Sequence, residues 1–128
     1  MPIIDSSTYV KYFAREPGWQ AAAEHLMLPA SIGLALPEVA KALSKKIALR
    51  EVRLEDAELL LRKMMEITRF VGQNESIIPA LKISANKRIT VYDALFIVAA
   101  IENKLGLTTS DAKQARAAEE SGVHVELV

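Results

Sequence analysis

The stretch from Thr90 to Glu102, TVYDALFIVAAIE, constrains the fold more than any other. Leu95, Phe96, Val98, Ala99 and Ile101 leave almost no solvent face before Glu102 and Asn103, so the spacing predicts a helix enclosed in the core. Thr90 is placed to cap its first turn. One acid, Asp93, stands in that turn, where unpaired N–H groups and the positive end of the helix dipole let a carboxylate stay ionised.

The flanking chain alternates between short apolar runs and amphipathic periods. Pro2 to Ile4 reads as a buried strand that ends at Asp5-Ser6-Ser7, a capped helix start. A helix from about Thr8 to Ala14 stops before Glu16-Pro17-Gly18, and a second runs from near Pro17 to Met27, where Pro29 ends it. Ala30 to Leu34 is the second strand. Pro37 suits the N1 position of the next helix, with Glu38 in its first turn, Val39, Leu43 and Ile47 inward, and Lys41, Lys45 and Lys46 outward. Leu54 to Thr68 is amphipathic, with Leu54, Ala57, Leu61, Met64 and Met65 on its apolar side. Arg69 to Gly72 forms a short strand and Ser76 to Lys87 a helix that tolerates Pro79 in its first turn. Leu105 to Thr109 is a strand, Ala112 to Glu120 a helix stopped by Gly122, and Val123 to Val128 the last strand.

Strands alternating with helices, without hairpin signals, predict a three-layer α/β/α sandwich with a short parallel sheet. At 128 residues and 51% hydrophobic, the chain fits one domain spanning 1–128. No apolar run is long enough to cross a membrane, and MPIIDSS lacks the layout of a signal peptide. The lack of Cys removes disulfides, thiolate nucleophiles and Cys-type zinc sites, and fits a reducing cytoplasm. Sixteen basic and sixteen acidic residues cancel, so binding of nucleic acid must rest on local patches.

Ligands of open parallel sheets bind beyond the carboxyl ends of the strands. Asp5 follows the first strand, Glu38 opens the helix after the second, Asp93 opens the buried helix and Asp111 follows the late strand, so all four are expected at one edge. Carboxylates gathered there repel one another unless a cation is shared. An all-oxygen set without Cys, and with His25 and His124 elsewhere, suits Mg²⁺ or Mn²⁺ better than Zn²⁺. The matching chemistry is metal-assisted phosphoryl transfer. Four independent helix caps remain the alternative.

Asp5-Ser6-Ser7, Glu16-Pro17-Gly18, the PEVAKAL run from Pro37, ITVYDALFIVAA from Ile89, TTSD from Thr108, and the closing Gly122-Val123 strand resemble the PIN domain family, and within it the VapC-type toxin ribonucleases. The resemblance covers nearly the whole chain. It implies an Mg²⁺- or Mn²⁺-dependent endoribonuclease in which Asp5, Glu38 and Asp93 hold an ion. Asp111 assists through a water or a second ion, and Thr109 orients Asp111 or a phosphate oxygen. It also implies RNA as substrate, a homodimer, a small antitoxin as partner, and a 5′-phosphate on the product.

Two other readings stay open: a receiver-like Mg²⁺-binding signalling domain, which wants adjacent acids after the first strand, and a catalytically silent RNA-binding relative. Among the basic residues, Lys113 and Arg116 lie within two turns of Asp111 and are the better placed to meet a phosphate, while Lys41, Lys45 and Lys46 read as a solvated face. Tyr12, Trp19 and Tyr92 read as packing aromatics.

Overall fold

The computed structural model describes residues 1–72 and 76–128. In chain order it contains β1 (Ile3–Ile4), α1 (Ser6–Phe13), α2 (Trp19–Glu24), β2 (Ala30–Ile32), α3 (Ala35–Ala48), α4 (Leu54–Ile67), β3 (Arg69–Val71), α5 (Ile77–Lys87), α6 (Val91–Asn103), β4 (Leu107–Thr109), α7 (Ala112–Glu120) and β5 (Val125–Leu127). The five strands form one parallel sheet in the order β3-β2-β1-β4-β5. Helices cover it, as the alternating pattern predicts.

The strand order reverses its progress between β1 and β4. After β3 the chain crosses back through α5 and α6 to lay β4 on the free side of β1. The connections leaving β1 and β4 therefore part to opposite sides, and a crevice opens beyond their carboxyl ends. Asp5 follows β1 directly and Asp111 stands two residues past β4.

The core runs along α6, where every residue from Ala94 to Ala100 is buried, and continues through Ile3, Ile4, Ile32, Val39, Leu43, Met64 and Leu107. Thr90 caps α6, its hydroxyl accepting from the Asp93 N–H at 3.0 Å. Ile101 departs from the expectation of burial: it lies in the last turn of α6 and is exposed. Leu54 and Met65 of α4 are exposed as well, so the inward stripe of that helix is the narrower Ala57, Leu61 and Met64.

Several boundaries shift for local reasons. The first helix begins at Ser6, because Asp5 itself caps it. Gly18 sits at φ 84° and delays α2 to Trp19. Leu34 turns helical straight after Gly33, so β2 ends at Ile32 and Pro37 is the third residue of α3 instead of the first. That position is also free of an intrahelical N–H requirement, as is Pro79 in the third position of α5.

Candidate active site

Asp5, Glu38, Asp93 and Asp111 line one pocket of about 410 Å³, together with Ser6, Ser7, Val10, Glu16, Lys41, Ala42, Lys45 and Ser110. Four separate elements deliver the acids: the end of β1, the first turn of α3, the first turn of α6 and the start of α7.

Asp5 is the most enclosed of them, at 4% exposure. Its Oδ1 caps α1 by accepting from the Thr8 N–H at 3.1 Å and the Thr8 hydroxyl at 3.0 Å. The Ser7 hydroxyl lies 2.9 and 2.8 Å from its two oxygens, and the Thr109 hydroxyl 2.9 Å from Oδ2. Burial nevertheless dominates and pushes its carboxyl up to about 6, against the opposing hydrogen bonds from Ser7, Thr109 and Thr8. Asp93 is half-buried, and its carboxyl is also raised, first by burial and then by the charges of Asp111 and Glu38, with Thr90 and Lys113 opposing. Repulsion between the acids therefore acts on Asp93, whereas desolvation accounts for the rise at Asp5.

Glu38 accepts from the Ser6 hydroxyl at 2.6 Å, a bond that ties α3 to α1 across the pocket floor. Asp111 caps α7 through Oδ1, which accepts from the N–H groups of Lys113 and Gln114 at 2.9 and 3.0 Å. Asp5 and Asp111 are thus helix caps as well as pocket acids, whereas Glu38 and Asp93 cap nothing. Thr109 is fully buried, and its hydroxyl faces Asp5 and the Asp111 N–H, from which it accepts at 3.0 Å.

Gln114 is absent from the sequence reading and central here. At 1% exposure its Oε1 accepts from the Thr109 hydroxyl at 2.7 Å, while its Nε2 donates to the Asp93 carbonyl at 3.1 Å. One side chain therefore links β4, α6 and α7. The sequence carried a signal for it, since Asp111-Ala-Lys-Gln114 has the spacing of a capping box. Glu16, from the loop between α1 and α2, is a fifth carboxylate of the pocket. Lys41 and Lys45, exposed on α3 as expected, also line the pocket, while Lys113 lies outside its lining yet acts through its charge to lower the Asp93 carboxyl.

Among the described residues no three His, Asp or Glu side chains stand close enough together to hold one ion. As placed, the carboxylates line an open pocket without closing a cage. The donor set itself is all-oxygen and anionic, which fits a hard divalent cation and not a soft one.

The family model described as PIN domain matches residues 3–120. The chain belongs to the PIN domain family. PIN domains are generally nucleases that typically use divalent metals, so the signalling-receiver reading falls away. Among solved structures, the crystal structure of PAE2754 from Pyrobaculum aerophilum is similar to this PIN domain, with a TM-score of 0.75 over 98% of this chain and 92% of that one. The two are 22% identical, and the likeness speaks to the fold alone. No curated protein sequence matches the chain. No helix among the described residues is long and apolar enough to cross a membrane.

Proposed function

We infer that this PIN domain, taken as one unit over 1–128, is a VapC-type endoribonuclease of the cytoplasm, the toxin of a toxin–antitoxin pair, and that it depends on Mg²⁺ or Mn²⁺. The observation that carries the reading is the convergence of Asp5, Glu38, Asp93 and Asp111 from four elements into one pocket. Four anions sharing a pocket cost stability, and two of them, Glu38 and Asp93, serve no cap that would explain them. Asp5, Glu38 and Asp93 would hold the ion by closing on it from their present open arrangement, with Asp111 assisting.

A divalent ion held by these carboxylates would supply an activated water and would offset charge at the phosphodiester. The protein's own part is positional. Ser7, Thr8 and Thr109 fix the orientation of Asp5, and Ser6 fixes that of Glu38. Asp93 and Asp111 are less enclosed than Asp5, and Thr109 orients Asp111 through its backbone N–H.

The test is RNA cleavage by the parent and by Asp93→Asn, with Mn²⁺ and with EDTA. The reading expects cleavage only by the parent and only with metal, while circular dichroism shows both proteins folded. Binding without cleavage by the parent would identify a catalytically silent relative instead. Exposed Leu59, Met65, Ile77, Ile78 and Leu81 support self-association as a homodimer. A single 14.1 kDa particle in light scattering at micromolar concentration would remove that part.

A further inference from the structure

Lys41 and Lys45 take no part in holding the acids, yet both line the acidic pocket. They follow Glu38 along α3 by three and seven residues, which sets them about 4.5 and 10.5 Å further along the helix axis on the same face. Among the described residues neither has a carboxylate within 4.0 Å, although Glu16 and Glu38 line the same pocket and the neighbouring Lys46 is paired with Glu51 at 3.7 Å. Two unpaired ammonium groups therefore stand in a row that begins at a catalytic carboxylate. Beside them, Ala42 of the same helix and Val10 of α1 add an apolar strip to the pocket wall, with no side-chain donor or acceptor.

We propose that this lane between α1 and α3 binds the two phosphates next to the scissile one, with an intervening unpaired base against Val10 and Ala42. The strand then runs along α3 away from the acids, past Lys41 and then Lys45. This rests on the nuclease reading and adds the path that the substrate follows. A duplex keeps its base faces stacked inside and cannot cover the apolar strip, whereas an unpaired base can. Because the strip offers no hydrogen bonds, it holds any base by contact and does not read sequence. The lane is short. Glu16 lines its wall as well, and its carboxylate repels a third phosphate.

The experiment compares the full-length parent, Lys41→Ala/Lys45→Ala, and a control pair outside the pocket, Lys63→Ala/Lys82→Ala. Binding of a labelled oligouridine is followed by fluorescence anisotropy in Ca²⁺ over a series of salt concentrations. Each lost phosphate contact to a single strand flattens the dependence of log K on log[salt] by about 0.7, so the Lys41/Lys45 variant should be shallower than the parent by about 1.4. The control pair should match the parent. An unlabelled duplex should compete poorly with the single strand for the parent. The Lys41/Lys45 variant should also keep the parent's Mn²⁺-induced rise in melting temperature, which shows an intact fold and acid site.

A parent that binds and cleaves RNA while the Lys41/Lys45 variant keeps the full salt slope overturns the lane and leaves the nuclease reading standing. So does equal flattening in the control pair, or a duplex that competes as well as the single strand. A parent that neither binds nor cleaves RNA removes both.

Discussion

Replacing Asp5 with Asn takes one charge out of a site that is 4% exposed, and its effect on stability can be worked out in advance. Burial raises the carboxyl from 3.8 in the unfolded chain to about 6 in the fold. The folded state therefore prefers the protonated acid. Its contribution to stability is fully present below pH 3.8 and is lost as the pH rises through 6, a loss of about 3 kcal/mol for a shift of this size. Asn avoids that loss. Its oxygen can still accept from the Thr8 N–H and cap α1, and its NH₂ group can donate to the Thr109 hydroxyl oxygen. At pH 7.5 in EDTA, Asp5→Asn should be more stable than the parent by about 3 kcal/mol, or roughly 10 °C in melting temperature at this chain length. The parent's fall in stability between about pH 4 and 7 should also be flatter in the variant. Thermal melts by circular dichroism across that pH range decide the matter. A variant less stable than the parent at pH 7.5, with the same pH dependence, would make Asp5 a cap whose charge the fold wants, and the desolvation argument would be refuted.

Three further outcomes follow from the same geometry. Mn²⁺ at a hundredfold excess over its dissociation constant should stabilise the parent by about 2.7 kcal/mol, and Asp93→Asn should lose most of that gain; equal shifts in paired melts would separate Asp93 from any ion. Thr108 carries, among the described residues, a fully buried hydroxyl without a partner, so Thr108→Val should be neutral or stabilising by about 1 kcal/mol, as read in urea unfolding. Leu43→Ala should cost about 2–5 kcal/mol by the same measurement, because Leu43 is the buried end of the α3 stripe.

The sequence was most informative where one residue type does one local job. Asp5, Thr90 and Asp111 cap the helices they precede, α7 runs from Ala112 to Glu120, and Pro79 falls in a first turn, all as local rules require. The meeting of four acids was legible because a parallel sheet with helical crossovers sends every strand's carboxyl end to the same edge. What stayed hidden depends on which neighbour covers a face. Helical period gathers Leu54 and Met65 at one edge of the apolar stripe and Ala57 and Met64 at the other, but only the packed chain shows that the second edge is the covered one. Distance in sequence favoured Lys113 and Arg116 over Lys41 and Lys45, yet the packing of α3 against α1 turns the latter pair into the pocket. Capping-box spacing marks Gln114 as a first-turn residue of α7, but only the packed chain shows that it joins three elements.

That residue also bears on the raised carboxyl of Asp5. The Thr109 hydroxyl has one hydrogen and three acceptors within reach, Gln114 Oε1 at 2.7 Å, Asp5 Oδ2 at 2.9 Å and the more distant Ser7 Oγ at 3.3 Å, while its oxygen already accepts the Asp111 N–H. The Gln114 amide cannot turn over to help, since its Nε2 must face the Asp93 carbonyl. A protonated Asp5 resolves the competition: it donates to Thr109, which then donates to Gln114, and every group is satisfied. An ionised Asp5 must compete with Gln114 for the single hydrogen. Gln114→Leu keeps the volume and removes the competitor, and the Asp93 carbonyl retains its helical partner, so the cost in stability should be about 1 kcal/mol. The hydrogen then belongs to the Asp5 carboxylate, and the Asp5 carboxyl should move down from about 6 toward its ordinary value. With fewer protons to displace, Mn²⁺ should stabilise the variant more than the parent near pH 6. A carbon-detected NMR titration of the Asp5 carboxyl in EDTA reads the first effect and paired melts the second. An Asp5 carboxyl that stays in place, or rises, in a folded Gln114→Leu protein would show that Thr109 does not divide its hydrogen between them.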